Sequence, residues 1–290
     1  MTTLDSVPIT ACHECIATLT LPLALFLLLA ETTVGGVVTV AFLRLTGGLT
    51  HGFLKFISVT YAILAALAFL VVVAAPPGSY HRLLAVNQFA AGTLTYLQGL
   101  LVITMVIQVV MTWRRQDAAL RGWLPTLLAS VLLLAGIMAT LGPLAGSAPV
   151  AAAIGLTVAL SSMVLGAATT GMLLGHWYLV TPALTNAPLL RAIEALLISL
   201  VLQAIVFPLT LGGLNNGSGY VTGALGISLA LSVLWTLGAV VLPLAAAGLA
   251  LPTCRMRSFM STTGLLYLAM IAILPGQLLG QLLLFVVASA

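Results

Sequence analysis

Hydrophobic positions in this chain fall in long unbroken blocks, with neither a narrow stripe nor a strict alternation. Eight apolar stretches stand out, at 16–43, 53–75, 86–112, 123–145, 149–180, 188–212, 221–250 and 259–288. Each is long enough to cross a hydrocarbon layer of about 30 Å, which takes roughly 20 helical residues. A helix satisfies its backbone donors and acceptors within itself, and the blocks lack the period-two pattern of a barrel strand. The pattern therefore predicts an all-α, polytopic integral membrane protein. About eight transmembrane helices form one bundle, a single domain over residues 1–290. Several stretches exceed the minimum length, so tilted helices are expected. Small residues recur inside them, as at Gly35 and Gly36, Gly166 and Gly171, and Gly276 and Gly280. Such residues let helices approach closely in lipid.

The breaks between blocks are short and carry Pro and Gly, so they are expected to be turns joining antiparallel neighbours. Basic residues mark one set of these turns. Arg44, Lys55, Arg114, Arg115, Arg121, Arg191, Arg255 and Arg257 follow or precede the odd-numbered crossings, and only Arg82 lies on the other side. Eight of nine cations on one side make that side cytoplasmic by the positive-inside rule. Both termini are then expected outside, in a bacterial cell (plasma) membrane. Composition agrees: 62% of the 290 residues are hydrophobic and 5% charged, against roughly 25% charged in soluble domains. No long polar stretch leaves room for a water-soluble domain, so any catalytic or electron-carrying head belongs to another chain. The net charge of +4 reflects topology and gives no sign of nucleic acid.

Few polar side chains remain to carry chemistry. Glu31 lies deep in the first stretch, where a charged form would cost several kcal/mol without a partner. Ionisable residues at such depth are functional candidates: a carboxyl there relays protons or hydrogen-bonds a quinone. The alternative is a neutral acid bonded to a neighbouring helix. The densest polar segment is 167–191, with His176, Trp177 and Tyr178 near the cytoplasmic end of the fifth stretch. Trp and Tyr favour the membrane interface in any case. His176 is a candidate haem ligand, quinone partner or loop anchor, and His51 is the one other histidine at that end. We expect Glu31 and His176 to share a proton route or to mark two ends of a polar pocket between the first and fifth helices. Gln98, Gln277 and Gln281 either glue helices together or line a pocket, and Gln277 and Gln281 share a face at i,i+4 spacing. Arg191 and Glu194 are expected to pair at i,i+3.

On the outer side, Cys12, His13 and Cys15 form a C-x-x-C element near the N-terminus, and His81 and Arg82 lie in the turn after the second stretch. C-x-x-C serves as a redox pair, half a metal site or a disulfide. Ile16 stands where a c-type haem ligand would follow, so haem attachment there is excluded. Nucleotide-binding, zinc-protease and serine-triad motifs are missing, and no catalytic residue is expected. Pro208, Pro243 and Pro275 fall inside apolar stretches and are kink candidates.

Three segments resemble the NrfD, PsrC and DmsC group of membrane anchor subunits of iron-sulfur and molybdenum oxidoreductases. In the first stretch Glu31 precedes the Gly35–Gly36 pair. After the second, the turn runs through Pro77, Gly78, His81 and Arg82 to Asn87. In the last, Gly276, Gln277, Gly280 and Gln281 stand where such anchors carry G-E-L-x-G-R; both Gln residues replace charged ones. The resemblance implies an eight-helix anchor with outward termini that contacts menaquinol or ubiquinol, often without haem of its own, and docks a redox subunit on its outer face. On that basis the expected function is the membrane anchor of a multisubunit electron-transfer complex of a respiratory chain. Its quinone and proton-site candidates are Glu31, Gln98, His176, Trp177, Tyr178, Gln277 and Gln281. Cys12, His13, Cys15, His81 and Arg82 are the docking candidates. A haem b on His51 and His176 is the lesser expectation. The alternatives are a proton-coupled transporter using Glu31 and the proline-bearing helices, or a purely structural membrane subunit.

Overall fold

The computed structural model describes residues 9–114, 123–181, 185–215 and 233–289; for 9–18, 211–215, 287 and 289 it describes the backbone alone. Among the described residues there is no strand. Seven helices run α1 Ile9–Thr46, α2 His51–Ala74, α3 Gln88–Trp113, α4 Leu124–Leu141, α5 Ala148–Val180, α6 Ala187–Asn215 and α8 Phe259–Ser289. Between the last two, α7 covers Val233–Arg255 and includes a π-helical turn, Thr236–Val241. All eight are long and apolar enough to cross a membrane, and they give the chain a lipid environment. Local chemistry sets their ends. Thr50 accepts from the Phe53 N–H at 3.3 Å and Asn87 from the Ala90 N–H at 3.2 Å, capping α2 and α3. Gly47 and Gly48 take the left-handed region, φ 79° and 99°, in the tight turn from α1 to α2.

The helices form two rings of four. α1 to α4 pack in chain order and α4 closes on α1; α5 to α8 do the same, with α8 closing on α5. The rings meet where α1 lies against α5 and α8. Accordingly 83% of the most apolar window of α1 is buried, against 33% for α2 and α3, which face outward. The glycines explain how close the rings come. A Cβ on Gly35 would collide with the Ser162 carbonyl, and one on Gly166 with the Gly35 backbone. Main chains touch at this crossing, and only glycine permits that. On the other side of α1, the Tyr61 ring of α2 fills the space against Gly36, and its hydroxyl is 2.6 Å from Thr170 Oγ1 on α5.

Six of the basic residues expected on one side are described, and the fold gathers them at one end. Arg191 Nη1 donates to the Thr46 carbonyl at 2.9 Å, Arg44 lies over the Trp123 ring, and Lys55 lies over that of Trp113. Asn186 donates to the Cys254 carbonyl at 3.1 Å there, next to Arg255 and Arg257. Arg115 and Arg121 lie outside the described residues. Arg82 sits at the opposite end, in a 3-10 turn, Pro77–Arg82. One local expectation changes: Arg191 reaches across to the first turn, bonding Thr46 and Gly47, where sequence spacing pointed to Glu194. The carbonyls left by the end of α1 are the stronger draw, since a helix end leaves acceptors unfilled. Helix boundaries also differ. α1 begins at Ile9, so the C-x-x-C element lies on its first turns, and residues 221–232 of the seventh stretch fall outside the described residues.

Candidate functional site

The inner face of α1 carries Glu31, 1% exposed. Gln281 of α8 donates from Nε2 to Glu31 Oε2 at 2.9 Å. The other amide atom, Gln281 Oε1, is buried without a partner. One helical turn back on the same face, Gln277 makes a reciprocal amide pair with Gln203 of α6, both bonds 2.8 Å. Gln203 also donates to Ser161 Oγ of α5 at 3.0 Å. Thr157, one turn from Ser161, shares a 2.8 Å bond with Thr210 of α6. These side chains surround a cavity of about 20 Å³ lined by Glu31, Gln281, Gln277, Ser161 and Thr157, with Phe207, Leu141 and several aliphatic groups closing it. That is room for one water-sized occupant. Trp235 of α7 stacks on Phe207, ring centroids 4.2 Å apart, and its buried indole N–H has no partner.

The sequence candidates divide sharply in this geometry. Glu31, Gln277 and Gln281 come together. Gln98 does not join them: it donates to the Ala65 carbonyl of α2 at 2.8 Å and ties α3 to α2. His176 is separate too. It is exposed, and it lies 15 residues beyond Ser161 on α5, about 22 Å at 1.5 Å per residue. The shared pocket expected for Glu31 and His176 is therefore absent; α5 is too long to present both at one depth. Trp177 instead packs on the start of α2, stacked with Phe56 and edge-on to Phe53. Tyr178 is buried against Phe259, and its hydroxyl donates to the Thr185 carbonyl, pinning the turn after α5. His51 is half-buried as the first residue of α2, with Nε2 unpartnered. With His176 exposed, these two do not form the inward-facing pair that a haem needs. His81 and Arg82 are exposed at the other end, where His81 Nδ1 is 2.9 Å from the Gly78 carbonyl. The side chains of Cys12, His13 and Cys15 lie outside the described residues. Among the described residues, no group of three or more His, Cys, Asp or Glu gathers.

A quinone head does not fit the residues present. Pockets for small organic ligands start at about 300 Å³, far above the 20 Å³ beside Glu31. A larger groove of about 330 Å³ runs between α7 and α8, but Leu234, Pro275, Leu278, Leu279, Leu282 and two glycines line it. It offers no polar side chain to a quinone carbonyl. One site has hydrogen-bonding groups without room, and the other has room without hydrogen-bonding groups. Sequence reasoning missed Ser161, Thr157 and the Gln203–Gln277 pair. Ser and Thr in a membrane helix ordinarily bond the i−4 carbonyl, as Ser162 does with Val158 at 2.9 Å, so nothing in the string separates a lining hydroxyl from a packing one. No family model, curated protein or solved structure matches this chain.

Proposed function

We propose that this chain is the membrane subunit of a multisubunit electron-transfer complex, and that its own task is to take up and release a proton at Glu31. The observation that carries this reading is the 2.9 Å bond from Gln281 to Glu31. It joins two of the three segments through which the sequence resembles oxidoreductase anchors, although 250 positions separate them. A carboxyl at this depth is costly to maintain without a role. Here it meets an amide that both donates to it and presents a free acceptor toward the cavity. Gln281 can thus hold the carboxylate through Nε2, and Oε1 can accept from a proton that arrives. The outer end, with His81 and Arg82 exposed, is the surface proposed for a redox partner. No quinone step is assigned to the cavity.

The test is purification of the tagged chain from native membranes. Co-purification of a redox-metal subunit is expected, and Glu31→Gln should lower turnover of the assembled complex severalfold. A lone chain with no redox partner would overturn the reading.

A second reading, a proton-coupled permease, is favoured by one observation. The π-helical turn Thr236–Val241 precedes Pro243, and Pro208 and Pro275 interrupt the flanking helices, a pattern found where transporter helices are broken. Proton flux into vesicles holding the chain alone, lost in Glu31→Gln, would select it.

A further inference from the structure

The cavity beside Glu31 is walled on its polar side by oxygen. Glu31 contributes its carboxyl, Ser161 and Thr157 their hydroxyls, and Gln281 the buried Oε1 that receives no hydrogen bond. Gln281 is 7% exposed, so bulk water does not serve that atom. Among the described residues no Lys, Arg or His is buried, and nothing cationic balances a carboxylate at Glu31. An ionised Glu31 without a counter-ion would be an uncompensated buried charge. The cavity holds one occupant of water size. We infer that it binds one small monovalent cation of the Na⁺ class, in exchange for the proton on Glu31; this rests on the proton site proposed above.

Three features select that ligand. Hard cations take carboxylate, carbonyl and hydroxyl oxygens, and those are the groups present. A single carboxylate neutralises one positive charge, so a divalent ion would leave a net charge within the membrane. The volume excludes organic cations such as choline. Binding balances simply: the neutral acid gives up its proton to water as the cation enters, and the site stays uncharged in both states. No other titratable side chain lines the cavity. α4, α5 and α6 present Leu141, Val158 and Phe207 besides the two hydroxyls, and α8 presents Gln277, Gln281 and Leu284. On α2 the nearest titratable group along α1 is Tyr61, held against Gly36 and bonded to Thr170.

The experiment uses the full chain purified in detergent, with NaCl exchanged for choline chloride at constant ionic strength. Infrared absorption of the protonated carboxylic acid and the thermal unfolding midpoint are followed against pH. Na⁺ is expected to remove the protonated-acid band at a lower pH than choline does. It should also raise the midpoint by about 5 °C at saturation, as a ligand of the folded state does. Both effects should be lost in Glu31→Gln. Ser161→Ala, which keeps the carboxyl, should weaken Na⁺ about tenfold, the loss of roughly 1.4 kcal/mol of ligand contact. A band that titrates with pH but ignores Na⁺ would overturn the cation site, leaving water as the occupant and the proton site intact. An acid band unchanged in Glu31→Gln would sink the proton site as well.

Discussion

Glu31 was conspicuous in the sequence because a carboxyl stands out in an apolar run. Its partner was not, since Gln281 looks like any other glutamine until α8 is laid against α1. That pairing makes distinct predictions for each residue. Glu31→Gln replaces a carboxyl by an amide of the same shape, so its cost to stability should be about 1 kcal/mol or less, read as a small change in unfolding midpoint. Gln281→Leu removes the donor to Glu31 and should cost more, about 1–3 kcal/mol, because the carboxyl is then left buried without a hydrogen bond. A midpoint equal to wild type in Gln281→Leu would show that the bond contributes nothing. His176, which the sequence placed beside Glu31, is exposed and a long way down α5. His176→Phe should therefore change stability by no more than about 0.5 kcal/mol, and it should leave the titration of Glu31 as it was.

At the level of elements, the sequence showed the glycines but not what they face. Gly35, Gly36, Gly166 and Gly276 could be read as close-approach positions, since small residues serve that purpose in lipid. That Gly35 and Gly166 answer one another, and that Gly276 lies against Ala239 in the π-helical turn, follows only from the packing. Position alone cannot pair two glycines 131 residues apart. A Cβ on Gly276 would lie 2.6 Å from the Ala239 nitrogen. Gly166→Val should force α1 and α5 apart, an overpacking cost of about 1–3 kcal/mol or more, and the protein recovered in mild detergent should fall accordingly. Gly264, whose Cβ would meet nothing, provides the control: Gly264→Ala should be recovered like wild type. The π turn was half legible. Pro243 signalled an irregular α7, but the widened turn ahead of it depends on Gly276 pressing against that backbone. Gly276→Ala should disturb α7 more than Pro243→Ala does, measured by hydrogen exchange of the amides in 236–241.

For the whole molecule, the number of spans and their up-and-down order were legible because lipid leaves the backbone few alternatives. The division into two rings of four was not, because no repeat in the residues announces it. The charge split makes a claim about orientation that the fold brings to one end without naming a compartment. In a variant lacking Cys12, Cys15 and Cys254, an impermeant thiol reagent added outside cells should label Ser79→Cys, in the 3-10 turn, and miss Ser258→Cys, between α7 and α8. Both positions are exposed. Labelling in the opposite order would reverse the membrane orientation.

The bond between Glu31 and Gln281 also sets a schedule for biosynthesis. α1 is made first and α8 last, and a ribosome adds about 5–20 residues per second. The 250 positions between the two residues then correspond to a wait of roughly 10–50 s. Through that interval the nascent first helix has a carboxyl with no amide to meet it and a glycine face with no α5 to cover it. A chain stopped after α7 would keep the carboxyl in that state for good. Truncation before Phe259 should therefore yield a product cleared by membrane proteases faster than the full chain, and Glu31→Gln should slow its clearance. Pulse-chase labelling measures both.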